Sequence, residues 1–412
     1  MQYREKHQNL TDSGIPGLGA LPAESRLRPK WILPVIVISQ FCCTSLWFAG
    51  NAVIGDLVGN FGLLDSALGH LTSAVQLGFI VGTLVFAFLT LADRFWPSGV
   101  FFISAISGAL FNLGAIWDGN TFASLFALRF LTGFCLAGIY PVGMKIAADW
   151  FQKGLGRSLG YLVGALVVGT AFPHLLNGFS AGLPWRGVLV ATSVLAAFGG
   201  VSMLLFVPNG PFRKRNQSPD FGALFKVFRD KNLSKAAMGY FGHMWELYAF
   251  WTFVPAMLIH LATAYQDSGL NVPLLSFLII ALGSLSCVAG GYWSQKMGPK
   301  VAASAFLSAS GLCCLLSPLF LLFAPPGLMI AFLIFWGLMV IPDSPLLSTL
   351  VALNAKPENK ATALTIVNSA GFALTIVSIQ LLGLMQTGAY PHLMFLLLLP
   401  GPAVGLWAMW RG

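Results

Sequence analysis

Residues Gly239–Leu258 read GYFGHMWELYAFWTFVPAML. A stretch this long and this apolar has the length of a helix that crosses the hydrocarbon core of a bilayer, which takes about 20 residues. Yet His243 and Glu246 stand in its middle. A charge at bilayer depth costs about 3 kcal/mol or more, so such residues face a protein interior or a water-filled cavity. Three positions apart, the two share one helical face. The segment predicts a membrane helix with a working polar face.

The rest of the chain has the same character. Of its 412 residues, 57% are hydrophobic and 9% charged, against about 25% charged in a soluble domain. Apolar runs of spanning length occur at about 31–55, 69–91, 99–117, 121–148, 156–178, 187–207, 236–262, 273–294, 300–323, 327–351, 361–386 and 391–410. Twelve membrane helices are expected, joined mostly by short turns such as WDGN, LPWRG, APPG and TGAYP. The longer basic segment, 208–235, contains FRKRN and divides the chain. The expected order is a cytoplasmic tail (1–30), a six-helix bundle (31–207), a cytoplasmic linker (208–235) and a second six-helix bundle (236–412).

The net charge of +9 is a topology signal rather than a nucleic-acid surface, because the basic residues cluster between apolar runs. With the N-terminus inside, cytoplasmic segments collect Arg26, Arg28, Lys30, Arg94, Lys153, Arg157, Arg213, Lys214, Arg215, Lys296, Lys300, Lys356 and Lys360. The outer loops hold Arg186 beside the acids Asp56, Asp65, Asp118 and Asp267. This bias places both termini in the cytoplasm of a bacterial inner-membrane protein. The polar first thirty residues lack the apolar core of a cleavable signal peptide. Cys42, Cys43, Cys135, Cys287, Cys313 and Cys314 sit inside apolar runs without CxxC spacing, as packing residues rather than disulfides or metal ligands. No GxxxxGK[ST] loop, HExxH pair or hydrolase constellation is present. The expectation is a protein that is not an enzyme, needs no cofactor, and draws energy from a gradient or another subunit.

A shift of 203 residues lays the second half on the first: Gln40 falls on His243, Tyr140 on Asp343 and Arg157 on Lys360. Two parallel halves are a transporter plan. Over its whole length the chain resembles the major facilitator superfamily. The loop after the second run keeps Asp93 and Arg94 of that family's G-x-x-x-D-R-x-G-R-R pattern, while Leu89, Trp96, Pro97 and Ser98 replace other defining residues. The matching loop in the second half keeps Gly291, Lys296, Gly298 and Lys300, with Gln295 in place of the acid. Arg129–Gly133 (RFLTG) resembles the family's R-x-x-x-G signature in the fourth helix. SLWFAGNAV (Ser45–Val53) resembles bacterial porters, with nitrate/nitrite and cyanate porters the nearest subgroup. No Gly-Asn-rich nitrate signature and no arginine in the second run accompany it. Gly160, Gly164 and Gly169 resemble the family's antiporter motif without its Gly-Pro pair, and equally fit close helix packing.

The resemblance implies an all-α membrane fold of two pseudo-symmetric six-helix bundles around a central cavity. It also implies alternating access for a small solute, a monomeric unit in the lipid bilayer, and gating by Asp93, Arg94, Lys296 and Gly298. Helical spacing gives the faces expected to line that cavity. They are Gln40, Thr44, Trp47 and Asn51 in the first run; Arg129, Gly133, Leu136, Tyr140 and Gly143 in the fourth; His243, Glu246, Phe250, Phe253 and Met257 in the seventh; and Trp336 with Asp343 in the tenth. The eleventh adds Thr365, Asn368 and Thr375, and the fifth adds His174. Gln40, Thr44, Trp47, Asn51, Arg129, Tyr140, His243 and Asn368 are the expected solute contacts, with Arg129 drawing an anion. Glu246, His243 and Asp343 are the expected proton carriers. Each polar residue also has a structural reading. Gln40, Thr44 and Asn51 can join helices, Arg129 can bind carbonyls, Asp343 can cap a broken helix between Pro342 and Pro345, and Glu246 can be fixed to a neighbour. Trp245, Tyr248 and Trp251 read as packing or lipid-interface residues. Two rival functions stay open at this point: a proton-driven exporter of amphipathic compounds, and a non-transporting membrane sensor or assembly partner.

Overall fold

The computed structural model describes residues 29–64, 66–151, 155–179, 184–213, 230–265, 269–356, 360–386 and 391–411. The tail expected over 1–30 and the linker expected over 208–235 fall largely outside the described residues, as do Lys153, Lys214, Arg215, Asp65 and Asp267. Among the described residues, eleven helices are long and apolar enough to cross a membrane. A twelfth crossing, α1, is assembled from three pieces, Ile32–Thr44, Ala49–Ala52 and Ile54–Phe61. The N-terminal half continues with α2 (Ala67–Phe88), α3 (Pro97–Gly114), α4 (Phe122–Ala137 and Tyr140–Trp150), α5 (Leu155–Phe179) and α6 (Trp185–Phe206). The C-terminal half holds α7 (Lys231–Ala264), α8 (Val272–Ala281 and Gly283–Met297), α9 (Pro299–Phe323) and α10 (Pro326–Met339 and Asp343–Asn354). It ends with α11 (Lys360–Gln386) and α12, a 3-10 segment Pro391–Leu398 followed by Pro400–Trp410.

The sequence explains where these helices start and pack. Asp230 caps α7 by accepting from the backbone N–H of Asn232 and Leu233, which satisfies donors the first turn leaves free. At Gly298, between α8 and α9, φ is +81°, a conformation that favours glycine. In lipid, helices associate through close contact of small residues. A Cβ on Gly78 of α2 would lie 1.9 Å from the Phe130 carbonyl oxygen, and one on Gly133 of α4 would lie 2.0 Å from that of Val75. In the second half, Gly242 of α7 and Gly401 of α12 approach each other's carbonyl oxygens in the same reciprocal way.

Several expected runs are interrupted. The run 31–55 breaks at Ser45–Phe48 and extends to Phe61; 121–148 breaks before Tyr140; 327–351 breaks before Asp343. The last two breaks are equivalent under the 203-residue shift, since Tyr140 and Asp343 each open the second piece of their helix. An apolar count sees hydropathy, not the backbone, and so passes over them.

The first piece of α1 and the last piece of α12, separated by an even number of crossings, end on one side, called here the termini side. On the opposite, far side the halves are fastened through α2 with α11 and α5 with α8. Gln380 donates to the Gly69 carbonyl (3.0 Å) and to Ser73 Oγ (2.7 Å), and Asn271 donates to the Gly178 carbonyl (3.1 Å). Toward the termini side a cavity of about 280 Å³ opens between α5, α8 and α10, lined among others by Gly160, Cys287, Gly291, Gln295, Leu346 and Thr349.

Candidate functional site

The break in α1 organises the N-terminal half. Near its first end Thr44 donates to the Gln40 carbonyl (2.9 Å) and Ser45 to that of Cys42 (2.7 Å), the back-bonding that bends helices. The turn at Ser45–Phe48 frees the carbonyls of Leu46 and Trp47. Arg129 of α4 takes both, donating to Leu46 O at 3.2 Å and to Trp47 O, and to Asn112 Oδ1 at 3.3 Å. Asn112 is itself fixed to α6, donating to Ser193 Oγ at 2.9 Å and to the Leu189 carbonyl at 3.1 Å. Gly50 leaves the room this needs, since a Cβ there would lie 3.2 Å from Arg129 Nε. Arg129 is buried, 3% exposed, and its hydrogen bonds described here go to protein atoms. These contacts give Arg129 the geometry of a clamp on the broken helix, since peptide carbonyls freed inside the bundle need a donor. Asn51 likewise donates to Thr72 Oγ1 of α2 (2.8 Å), and Thr44 donates within its own helix.

Where the halves meet, an aromatic layer fills the centre. Trp47 lies 4.9 Å from Phe79 of α2, 5.7 Å from Tyr248 of α7 and 5.8 Å from Phe372 of α11, centroid to centroid. Phe79 and Phe372 meet at 4.5 Å, and Tyr248 and Phe372 at 5.2 Å. Tyr248 and Trp251, expected only as packing or lipid-interface residues, are the α7 aromatics that face the first half. Several buried polar atoms carry no hydrogen bond among the described residues: the indole N–H of Trp47 in this layer and of Trp251, and the side-chain amides of Gln40 and Gln76. Gln40 fits against Gly143, where an added Cβ would meet Oε1 at 2.2 Å. Tyr140 and Asn368 are half-buried.

In the C-terminal half the expected face of α7 points elsewhere. His243 Nδ1 lies 2.9 Å from Asp343 Oδ1, the two side chains being 1% and 0% exposed. Glu246 accepts from Trp336 Nε1 of α10 (2.7 Å) and from Ser310 Oγ of α9 (2.8 Å), and Phe250 packs on Trp336 at 4.6 Å. The face carrying His243, Glu246 and Phe250 therefore looks into its own bundle, not across the central interface. Of the three expected proton carriers, His243 pairs with Asp343, and Glu246 is bonded elsewhere. Periodicity placed the polar residues on one face, but buried charges seek polar partners, and these stood on α9 and α10. Ser310 gave no signal in the sequence; Trp336 did, through its shared face with Asp343.

Of the expected gating residues, Asp93 pairs with Lys145 of α4 at 3.1 Å, and Lys145 also reaches Asp149 at 3.2 Å. Arg213 donates to the carbonyls of Asp93 and Phe95. This network joins parts of one half and brings in Lys145 and Asp149, which the sequence reading missed because they lie within or at the edge of an apolar run. Arg94 and Lys296 are exposed.

A family model described as the Major Facilitator Superfamily matches residues 36–379. Over 189 residues the chain is 29% identical to the probable galactarate/D-glucarate transporter GudP of Bacillus subtilis (strain 168), covering 42% of this chain and 39% of that relative. It thus spans about two fifths of that relative's length. Over 393 residues it is 24% identical to an uncharacterized MFS-type transporter of Mycobacterium tuberculosis, covering 88% of this chain and 81% of the relative. Among solved structures, the xylose transporter XylE from E. coli, in a partially occluded inward open conformation, superposes with a TM-score of 0.69 at 14% identity, covering 92% and 96% of the two chains. That likeness shows the fold. With a family match across most of the chain and eleven helices among the described residues long and apolar enough to cross a membrane, the chain belongs to the Major Facilitator Superfamily, as a multi-pass membrane protein.

Proposed function

We propose that this protein is a proton-coupled secondary transporter of a small, carboxylate-bearing polar solute, working by alternating access as a single chain with its termini in the cytoplasm. The observation that carries the coupling is the buried His243–Asp343 pair, 2.9 Å apart on two facing helices. A proton taken up by the His243–Asp343 pair adds one unit of positive charge to a buried site. An unpaired charge in such a site is costly, and an anionic solute entering beside it relieves that cost. Proton and solute then favour each other's binding by the same factor, as linkage requires. Glu246, held by two donors, is assigned to the architecture of the second half.

The solute class rests on two supports. The atoms without partners near the interface are amide and indole N–H groups, which suit oxygen-rich ligands, and one relative is named for galactarate and D-glucarate. The nitrate, nitrite and cyanate subgroup has no comparable support. The aromatic layer favours a second reading, export of amphipathic compounds. Uptake of labelled D-glucarate into proteoliposomes under an imposed proton gradient separates them. Accumulation that collapses with a protonophore supports the proposal. No uptake, together with proton-driven extrusion of an amphipathic dye, supports the rival.

A further inference from the structure

On the far side of the aromatic layer lies a second set of buried polar atoms. Thr170 and His174, four residues apart on α5, share one face and are 0% and 2% exposed. Thr170 Oγ1 and His174 Nε2 have no hydrogen-bond partner among the described residues, nor has Nε1 of the fully buried Trp251 on α7. Asn177, about a turn further along the same face, donates to the Ala52 carbonyl of α1 (2.7 Å) and so fixes this part of α5 against the broken helix. Between His174 and Trp251 stands one ring, Phe48. It meets the imidazole edge-on at 6.5 Å and the indole edge-on at 6.3 Å.

Proteins bond nearly all their buried polar groups. Three unbonded ones from two halves of the molecule, two of them on rings that meet Phe48 and the third on the same face of α5 as His174, mark a place built for something other than packing. Phe48 also sits on the longer of the two non-helical stretches of α1, at φ −106° and ψ 19°, where a side chain can swing without unwinding a turn. A hydroxyl, an imidazole nitrogen and an indole N–H offer donors to oxygen atoms, and the rings offer faces to C–H groups.

We propose that Thr170, His174 and Trp251 form a recognition subsite for a terminal carboxylate of the solute, which enters by displacing the Phe48 ring. The inference rests on the solute class proposed above and adds the residues that read one of its ends. His243 and Asp343 serve the proton; the α5–α7 subsite serves selectivity. A solute with a carboxylate at each end is then preferred to its mono-acid analogue.

The test uses the full chain in proteoliposomes, with labelled D-glucarate and D-gluconate as probes. His174→Leu is expected to raise KM for D-glucarate about tenfold or more, the scale of one lost hydrogen bond to a charged group. The maximal rate should hold, and the preference over D-gluconate should shrink. His174→Gln, which keeps a donor at that place, is expected to restore KM toward the wild-type value, and Trp251→Phe to repeat the KM effect. Wild-type uptake with unchanged KM and selectivity in His174→Leu overturns the subsite alone. Equal loss of thermal stability and rate in His174→Leu and His174→Gln also overturns it, in favour of a packing role. Absence of D-glucarate uptake by the wild type overturns the solute class and this inference with it.

Discussion

Replacing Arg129 distinguishes a clamp on a broken helix from a solute contact. In Arg129→Gln the carbonyls of Leu46 and Trp47 and the Asn112 side chain lose a cationic donor they meet at hydrogen-bond distance. Hydrogen bonds to charged groups contribute about 1.5–3 kcal/mol each, and the desolvation of a buried guanidinium offsets part of that sum. Each buried acceptor left unsatisfied costs about 1–3 kcal/mol. Arg129→Lys keeps the charge, but a single ammonium lacks the planar fork that reaches several acceptors at once, so it should recover only part of the loss. Thermal unfolding of the purified protein reads the stability, and D-glucarate exchange reads KM. The clamp predicts a clear drop in unfolding temperature for Arg129→Gln, an intermediate one for Arg129→Lys, and falling transport as Trp47 loses its place in the aromatic layer. Wild-type stability with a raised KM would refute the reasoning and return Arg129 to the solute.

Other outcomes follow from the same geometry. Glu246→Gln keeps an acceptor for Trp336 Nε1 and a partner for Ser310, so folding and proton-driven accumulation should both survive, whereas Glu246→Ala should cost about 3–5 kcal/mol in thermal unfolding; a folded Glu246→Gln that no longer accumulates solute would restore the carboxylate to coupling. Gln380→Ala removes two hydrogen bonds across the far side, worth about 1–3 kcal/mol together. The rate at which an impermeant thiol reagent labels a Gln76→Cys probe should rise about 5- to 150-fold, and an unchanged rate would show that these bonds do not hold the far side closed. For orientation, Leu64→Cys, at a position 79% exposed on the far side, should be labelled from outside intact cells and the exposed Arg94→Cys should not; the reverse pattern would invert the topology.

The fold was largely legible because hydropathy alone marks the crossings and the 203-residue shift marks the two halves. Tyr140 and Asp343 show how far this reached: paired by the shift, they open equivalent helix pieces. What the sequence hid was direction. The stripe from His243 to Phe250 is real, but nothing in it says whether its neighbours are water or the partners Asp343, Ser310 and Trp336. Arg129 was recognisable as functional, yet its acceptors are main-chain carbonyls of a turn that hydropathy does not reveal. Tyr248, Trp251 and Phe372 look like ordinary apolar helix residues, and only the meeting of the two halves makes them central. Asp93 could be read from its loop, but Lys145 and Asp149, its partners, lay hidden within and beside an apolar run.

The central claim is that His243 and Asp343 carry the proton. The direct measurement compares Asp343→Asn and His243→Gln with the wild type in two assays on the same proteoliposomes: exchange of D-glucarate down its own gradient, and its accumulation under an imposed proton gradient. The account predicts that exchange persists in folded variants while accumulation is lost in both. Full proton-driven accumulation in Asp343→Asn would contradict it.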